Sequence, residues 1–148
     1  MGPALLLRAA VLASSLALAA QSVSGPRPLE GTYWKAIELA GTPVPLEGSS
    51  HEPYMVLQDR GRVYGSDGCN RVAGTYQLEH EVVTFGELVS TRMACIDAGG
   101  IDVAFLDALK SARRLAVAGD RLDLFDSKNR RVAAFRAVSD GRSTRTRP

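Results

Sequence analysis

Between residues 32 and 136 the apolar positions fall mainly into short runs of period two, each bounded by residues that turn a chain. Side chains two apart share one face of a strand, so such runs predict half-buried strands. The first is Thr32-Tyr33-Trp34-Lys35-Ala36-Ile37-Glu38-Leu39, ended by a turn at Ala40-Gly41-Thr42-Pro43. Tyr33 and Trp34 are adjacent there, so one enters the core and the other faces outward. Tyr54-Met55-Val56-Leu57-Gln58 and Arg62-Val63-Tyr64-Gly65-Ser66 flank Asp59-Arg60-Gly61, where glycine supplies the positive φ that a tight hairpin needs. Two more hairpins are predicted, 74–78 with 82–85 around Glu79-His80-Glu81, and 115–118 with 121–125 around Gly119-Asp120. Asp126-Ser127-Lys128-Asn129 then turns the chain into a last strand over 130–136.

One segment breaks this period. Ile101, Phe105, Ala108, Leu109 and Ala112 recur at helical spacing and form a single apolar stripe, which predicts a helix over 101–112. Lys110, Arg113 and Arg114 stand at its end, where cations complement the helix dipole, and Asp97 or Asp102 serves its start. Successive hairpins interrupted once by a helix make the chain α+β. The expected architecture is a mostly antiparallel, strongly curved sheet or partly closed barrel-like roll of about seven or eight strands, with the helix as cover.

The ends of the chain have another character. Residues 1–19 combine one early positive charge, Arg8, with an uncharged apolar stretch and the small residues Ala17 and Ala19, the pattern of a secretory signal peptide cleaved before Ala20. Residues 20–28 read as a linker, 29–137 as one domain, and 138–148 as a disordered basic tail carrying Arg142, Arg145 and Arg147. Export without a lasting membrane anchor is the expectation, because the stretch after Arg8 is too short to span and no cysteine stands at the cleavage site for lipid attachment. That places the product in the periplasm or outside the cell. The net charge of +2 says little, but acidic residues spread through the domain and only 6% aromatics argue against a nucleic-acid partner.

Candidate chemistry is concentrated in two segments. Gly65-Ser66-Asp67-Gly68-Cys69-Asn70-Arg71 and Ser90-Thr91-Arg92-Met93-Ala94-Cys95 hold both cysteines of the chain. In an oxidising compartment one Cys69–Cys95 bridge is the expectation, with two buried reduced thiols as the alternative. A catalytic cysteine needs a partner that stabilises its thiolate. His51 lies in a loop and His80 at a hairpin tip, while Arg71 and Arg92 neighbour the cysteines, where two roles stay open: lowering a thiol pKa, or pairing with carboxylates and bracing loops. Neither the cysteines nor the histidines have the paired short spacing of a zinc site, and Asp120, Asp123 and Asp126 fall at turns and on a strand's solvent face, so no metal or other cofactor is expected. Gly65, Gly68 and Gly74 read as a tight crossing loop rather than a phosphate cradle, with Asn70 bonding main-chain groups inside that loop.

Together the two segments resemble the signatures of the META/HslJ-like domain family. Leu29-Glu30-Gly31-Thr32-Tyr33-Trp34 is similar to the family's opening strand, 104–109 to its helix and 119–124 to its closing hairpin. The resemblance implies a small, mostly β envelope protein with one helix, associated in some members with heat shock or antibiotic tolerance, and with no established reaction. Its signature positions here are Gly68, Cys69, Asn70, Arg71, Thr91, Arg92, Met93 and Cys95. The chain departs from the family at Ile96-Asp97-Ala98-Gly99-Gly100, and in lacking the lipid-modified cysteine of many members. The expectation is a monomeric, non-enzymatic exported protein that supports envelope integrity or stress tolerance by binding an envelope protein or small ligand. The alternatives are a thiol-dependent enzyme or redox protein using Cys69 or Cys95, and a protease inhibitor or adaptor presenting the loop 46–53.

Overall fold

The structure is a computed structural model that describes residues 25–45, 52–93 and 99–138. The expected signal peptide, most of the linker, the basic tail, loop residues 46–51 with His51, and Cys95 lie outside the described residues. The elements are β1 (Tyr33–Leu39), β2 (Thr42–Pro43), β3 (Pro53–Gln58), β4 (Arg62–Asp67), β5 (Arg71–Glu79), β6 (Val82–Ser90), α1 (Ile101–Ser111), β7 (Arg114–Ala118), β8 (Arg121–Phe125) and β9 (Arg131–Val138). All nine strands belong to one antiparallel sheet in the order β2-β1-β3-β4-β5-β6-β7-β8-β9, and β1 also pairs with β9. That last pairing bends the sheet into a ring and leaves β2 as a short flap on β1.

Alternation decides which side chains fill the ring. Trp34 and Ala36 of β1, Met55 and Leu57 of β3, Leu122 and Leu124 of β8 and Phe135 of β9 are all buried. Of the adjacent aromatics Trp34 takes the core, while Tyr33 stays half-buried outside and stacks on Tyr54 at 4.2 Å between ring centroids. The expected helix covers the ring from within the β6–β7 connection. Its buried residues are Phe105, Ala108 and Leu109, and Phe105 meets Phe135 edge to face at 6.2 Å and 80°. Arg113 Nη1 donates to the carbonyls of Lys110 and Ala112 at the helix end, as its charge predicts.

Two sequence expectations change. The loop expected around Gly65, Gly68 and Gly74 is two strands and a turn: Gly65 lies in β4, Gly74 in β5, and only Gly68 occupies the turn. A Cβ on Gly65 would stand 2.0 Å from the Tyr54 carbonyl oxygen, so this glycine allows β3 and β4 to approach. Pro53, placed by sequence at the end of an exposed loop, opens β3 and is buried.

Candidate functional site

The inward positions of β4 are Val63, Gly65 and Asp67, so strand alternation carries a carboxylate into the core at the end of the strand. Asp67 is 1% exposed. The chain behind it reverses through Gly68, whose φ of 95° suits glycine, and Asp67 N–H closes the turn on the Asn70 carbonyl at 3.1 Å. Asp67 Oδ1 accepts the amides of Cys69 at 2.9 Å and Asn70 at 2.6 Å, while Ser66 Oγ accepts that of Gly68 at 3.1 Å. Every amide of the turn thereby has a side-chain acceptor, which is what allows the turn to be buried.

The same side chains reach the second segment. Ser90, inward at the end of β6, donates its hydroxyl to Asp67 Oδ2 at 3.0 Å. Asn70 Oδ1 accepts the Met93 amide at 2.7 Å, so Asn70 joins the two segments rather than bracing its own loop as its sequence context suggested. Arg71 and Thr91 exchange main-chain and hydroxyl bonds, Thr91 N–H to the Arg71 carbonyl and Arg71 N–H to Thr91 Oγ1, both at 3.0 Å. Cys69 Sγ lies 3.7 Å from the Met93 carbonyl oxygen, and there is no free cysteine among the described residues.

The structure thus brings together Gly68, Cys69, Asn70 and Arg71 with Thr91, Arg92 and Met93, while Cys95 lies outside the described residues. The first three are buried, whereas Arg71, Thr91, Arg92 and Met93 are exposed. Sequence reasoning missed Asp67 and Ser90, which hold the junction. Their signal was present in the alternation Val63, Gly65, Asp67 and in the Asp-Gly turn itself. Among the described residues no group of His, Cys, Asp and Glu could hold a metal ion. His80 sits exposed in the β5–β6 turn, far along the strand from the junction.

Beside the junction lies a cavity of about 390 Å³ between the end of β6 and helix α1, with Asp67, Asn70, Leu88, Met93, Val103 and Lys110 in its wall. A larger one, about 600 Å³, lies across the helix against Ala40, Ala104, Ala108 and Val132. The smaller cavity adjoins the signature residues Asn70, Thr91, Arg92 and Met93 and offers both charge and apolar surface. No helix among the described residues is long and apolar enough to cross a membrane.

A protein from Burkholderia xenovorans with an NMR structure is similar at 28% identity over 75% of this chain and 84% of that one, with a TM-score of 0.60. A second protein known from NMR shares the fold at 22% identity over 73% of this chain and 90% of its own, with a TM-score of 0.59. No curated protein matches the chain. The profile of the META domain matches residues 27–139, a span that contains both stitched segments, the ring and the helix: the chain belongs to the META domain family.

Proposed function

We propose that the chain is an exported envelope protein that works by binding rather than by catalysis, with a Cys69–Cys95 disulfide clamping the two signature segments. The observation that carries this reading is how the junction spends its polar groups. The Asp67 carboxylate, the group here suited to acid–base work, accepts two amides and a hydroxyl, and Asn70 Oδ1 accepts the Met93 amide, so both side chains are engaged in holding two strand ends together. Cys69 is 9% exposed, a poor position for a nucleophile. Its sulfur reaches the Met93 carbonyl, and Cys95 follows two residues later, within about 7 Å of Met93 along an extended chain. The apolar, uncharged stretch near the N-terminus supports export into a compartment where such a bridge forms. Support for envelope integrity or stress tolerance is the role that fits this export and family.

The test is the mass and thiol count of protein recovered from the exported fraction, with and without reductant. A mass beginning near Ala20 and no reactive thiol until reduction is the expected result. Two thiols that alkylate at neutral pH, together with a turnover abolished by Cys69→Ser, would overturn the reading in favour of thiol chemistry.

A further inference from the structure

The ring of strands is unevenly closed. β6 pairs with β5 along its length but meets β7 at a single register pair, Val82 with Arg114. At that seam Val83 N–H donates to the Arg113 carbonyl and Leu115 N–H to the Glu81 carbonyl, so odd-numbered residues at the start of β6 turn their main-chain groups toward β7. A bulge opposite Gly74 then shifts the alternation. Val89 and Ser90 register with Ala73 and Val72, and Thr91 N–H bonds back to the Arg71 carbonyl. Past the bulge it is therefore Leu88 and Ser90 whose N–H and C=O groups face away from β5. Among the described residues neither makes a main-chain hydrogen bond on that side.

What stands beyond this edge is the cavity of about 390 Å³, with Asp102, Leu106 and Lys110 of α1 as its far wall. The helix cannot pair with the edge, because its own main-chain groups are bonded along its axis. An unpaired strand edge is a template for another strand. The surroundings narrow the choice of strand. Leu88 and Leu106 give the gap apolar walls, and Met93 and Val103 are left 64% and 58% exposed at its rim. Arg92 and Lys110 line it, and neither is ion-paired with a carboxylate among the described residues. The Asp67 carboxylate keeps its charge but is buried with its oxygens held by three donors, so the charged groups open to direct contact in the wall are Arg92, Lys110 and Asp102.

We propose that this gap takes an extended acidic segment of a partner protein as an added strand on β6. The main chain of the segment pairs with Leu88 and Ser90, one apolar side chain enters between Leu88 and Leu106, and its carboxylates meet Arg92 and Lys110. Main-chain bonds supply the affinity and the pocket and cations supply the preference, as in other strand-addition sites. The inference deepens the reading of the chain as a binding protein and rests on it.

The experiment is an NMR titration of the folded domain with the capped synthetic peptide Glu-Val-Thr-Val-Glu, its Lys-Val-Thr-Val-Lys counterpart, and the acidic peptide N-methylated at its central residues. Saturable shifts at Leu88, Ser90, Arg92 and along 102–110 are expected with the acidic peptide, weakened about tenfold or more by N-methylation or by lysine. The exposed-site variants Arg92→Glu and Lys110→Glu should keep the fold and reverse the charge preference. No shift at millimolar peptide, equal binding of all three peptides, shifts confined to other surfaces, or self-association through β6 would each overturn the proposal. Those outcomes leave the exported, bridged protein standing, because the thiol count judges that separately.

Discussion

Asp67 illustrates how a single residue can serve two segments at once. Removing its acceptor leaves the amides of Cys69 and Asn70 buried without a partner, each such loss costing about 1–3 kcal/mol, while the half-buried Ser90 hydroxyl keeps only the Thr91 carbonyl at 3.2 Å. Asp67→Ala should therefore lower stability by about 3 kcal/mol or more, and Asp67→Asn by less, since Asn keeps one acceptor oxygen. Urea midpoints with an unchanged slope would show it; equal losses for the two variants would mean that packing, not hydrogen bonding, is what Asp67 supplies. Tyr76 makes the corresponding case for pH. Its hydroxyl lies 2.9 Å from Glu30 Oε1 and 3.0 Å from the Gln58 carbonyl oxygen. Burial first, and the bond and charge of Glu30 next, push its pKa up from 10.0 to about 12. The folded state thus holds this proton more tightly than the unfolded chain. The stabilisation is fully present below about pH 10 and is lost as pH rises from there toward 12. Tyr76→Phe should be less stable at neutral pH yet lose less with alkali across that window, read as the difference between the two proteins' denaturation midpoints.

At the scale of elements, what sequence makes legible is local period. The helix is predicted over 101–112 and found at Ile101–Ser111, and the hairpin of β7 and β8 is read almost to the residue, because nothing interrupts either pattern. The hairpin of β5 and β6 is longer than its prediction of 74–78 and 82–85, running Arg71–Glu79 and Val82–Ser90. The reason is the bulge that sets Glu87, with a φ of 50°, and Leu88 against Gly74 and so breaks the alternation that a reader of sequence follows. The same slip hid the partnership of Asp67 and Ser90. It depends on a register across 23 residues that no local pattern encodes. Gly74 is the hinge of this arrangement. A Cβ there would meet Leu88 Cδ2 at 2.9 Å and the carbonyl oxygens of Gly86 and Glu87 at 3.0 and 3.1 Å. Gly74→Ala should cost about 1–3 kcal/mol and shift the amide signals of Leu88 and Ser90. A variant of undiminished stability with those signals unmoved would show that the bulge tolerates a methyl group and is not set by this glycine.

For the whole molecule, the closure of the ring is divided between two unlike seams. Six register pairs join β1 to β9, while one joins β6 to β7. Main-chain bonding alone would leave the second seam to part, yet α1, which the chain inserts between those two strands, packs on β1, β3, β4, β6, β8 and β9. Burial of Phe105 and Leu109 therefore does for the β6–β7 side what a ladder does for the other. Phe105→Ala removes the ring that meets Phe135 and should cost about 3–5 kcal/mol. The distribution of that loss is the sharper test. Val83 N–H and Leu115 N–H are bonded across the weak seam, to Arg113 and Glu81, so their exchange with solvent should speed up more than that of the amides paired between β1 and β9. If exchange accelerates equally at both seams, the helix is part of one cooperative core and the ring opens all at once. If the β6–β7 amides lead, the fold contains a low-cost opening beside the edge of β6, where an added strand would find its unpaired main chain.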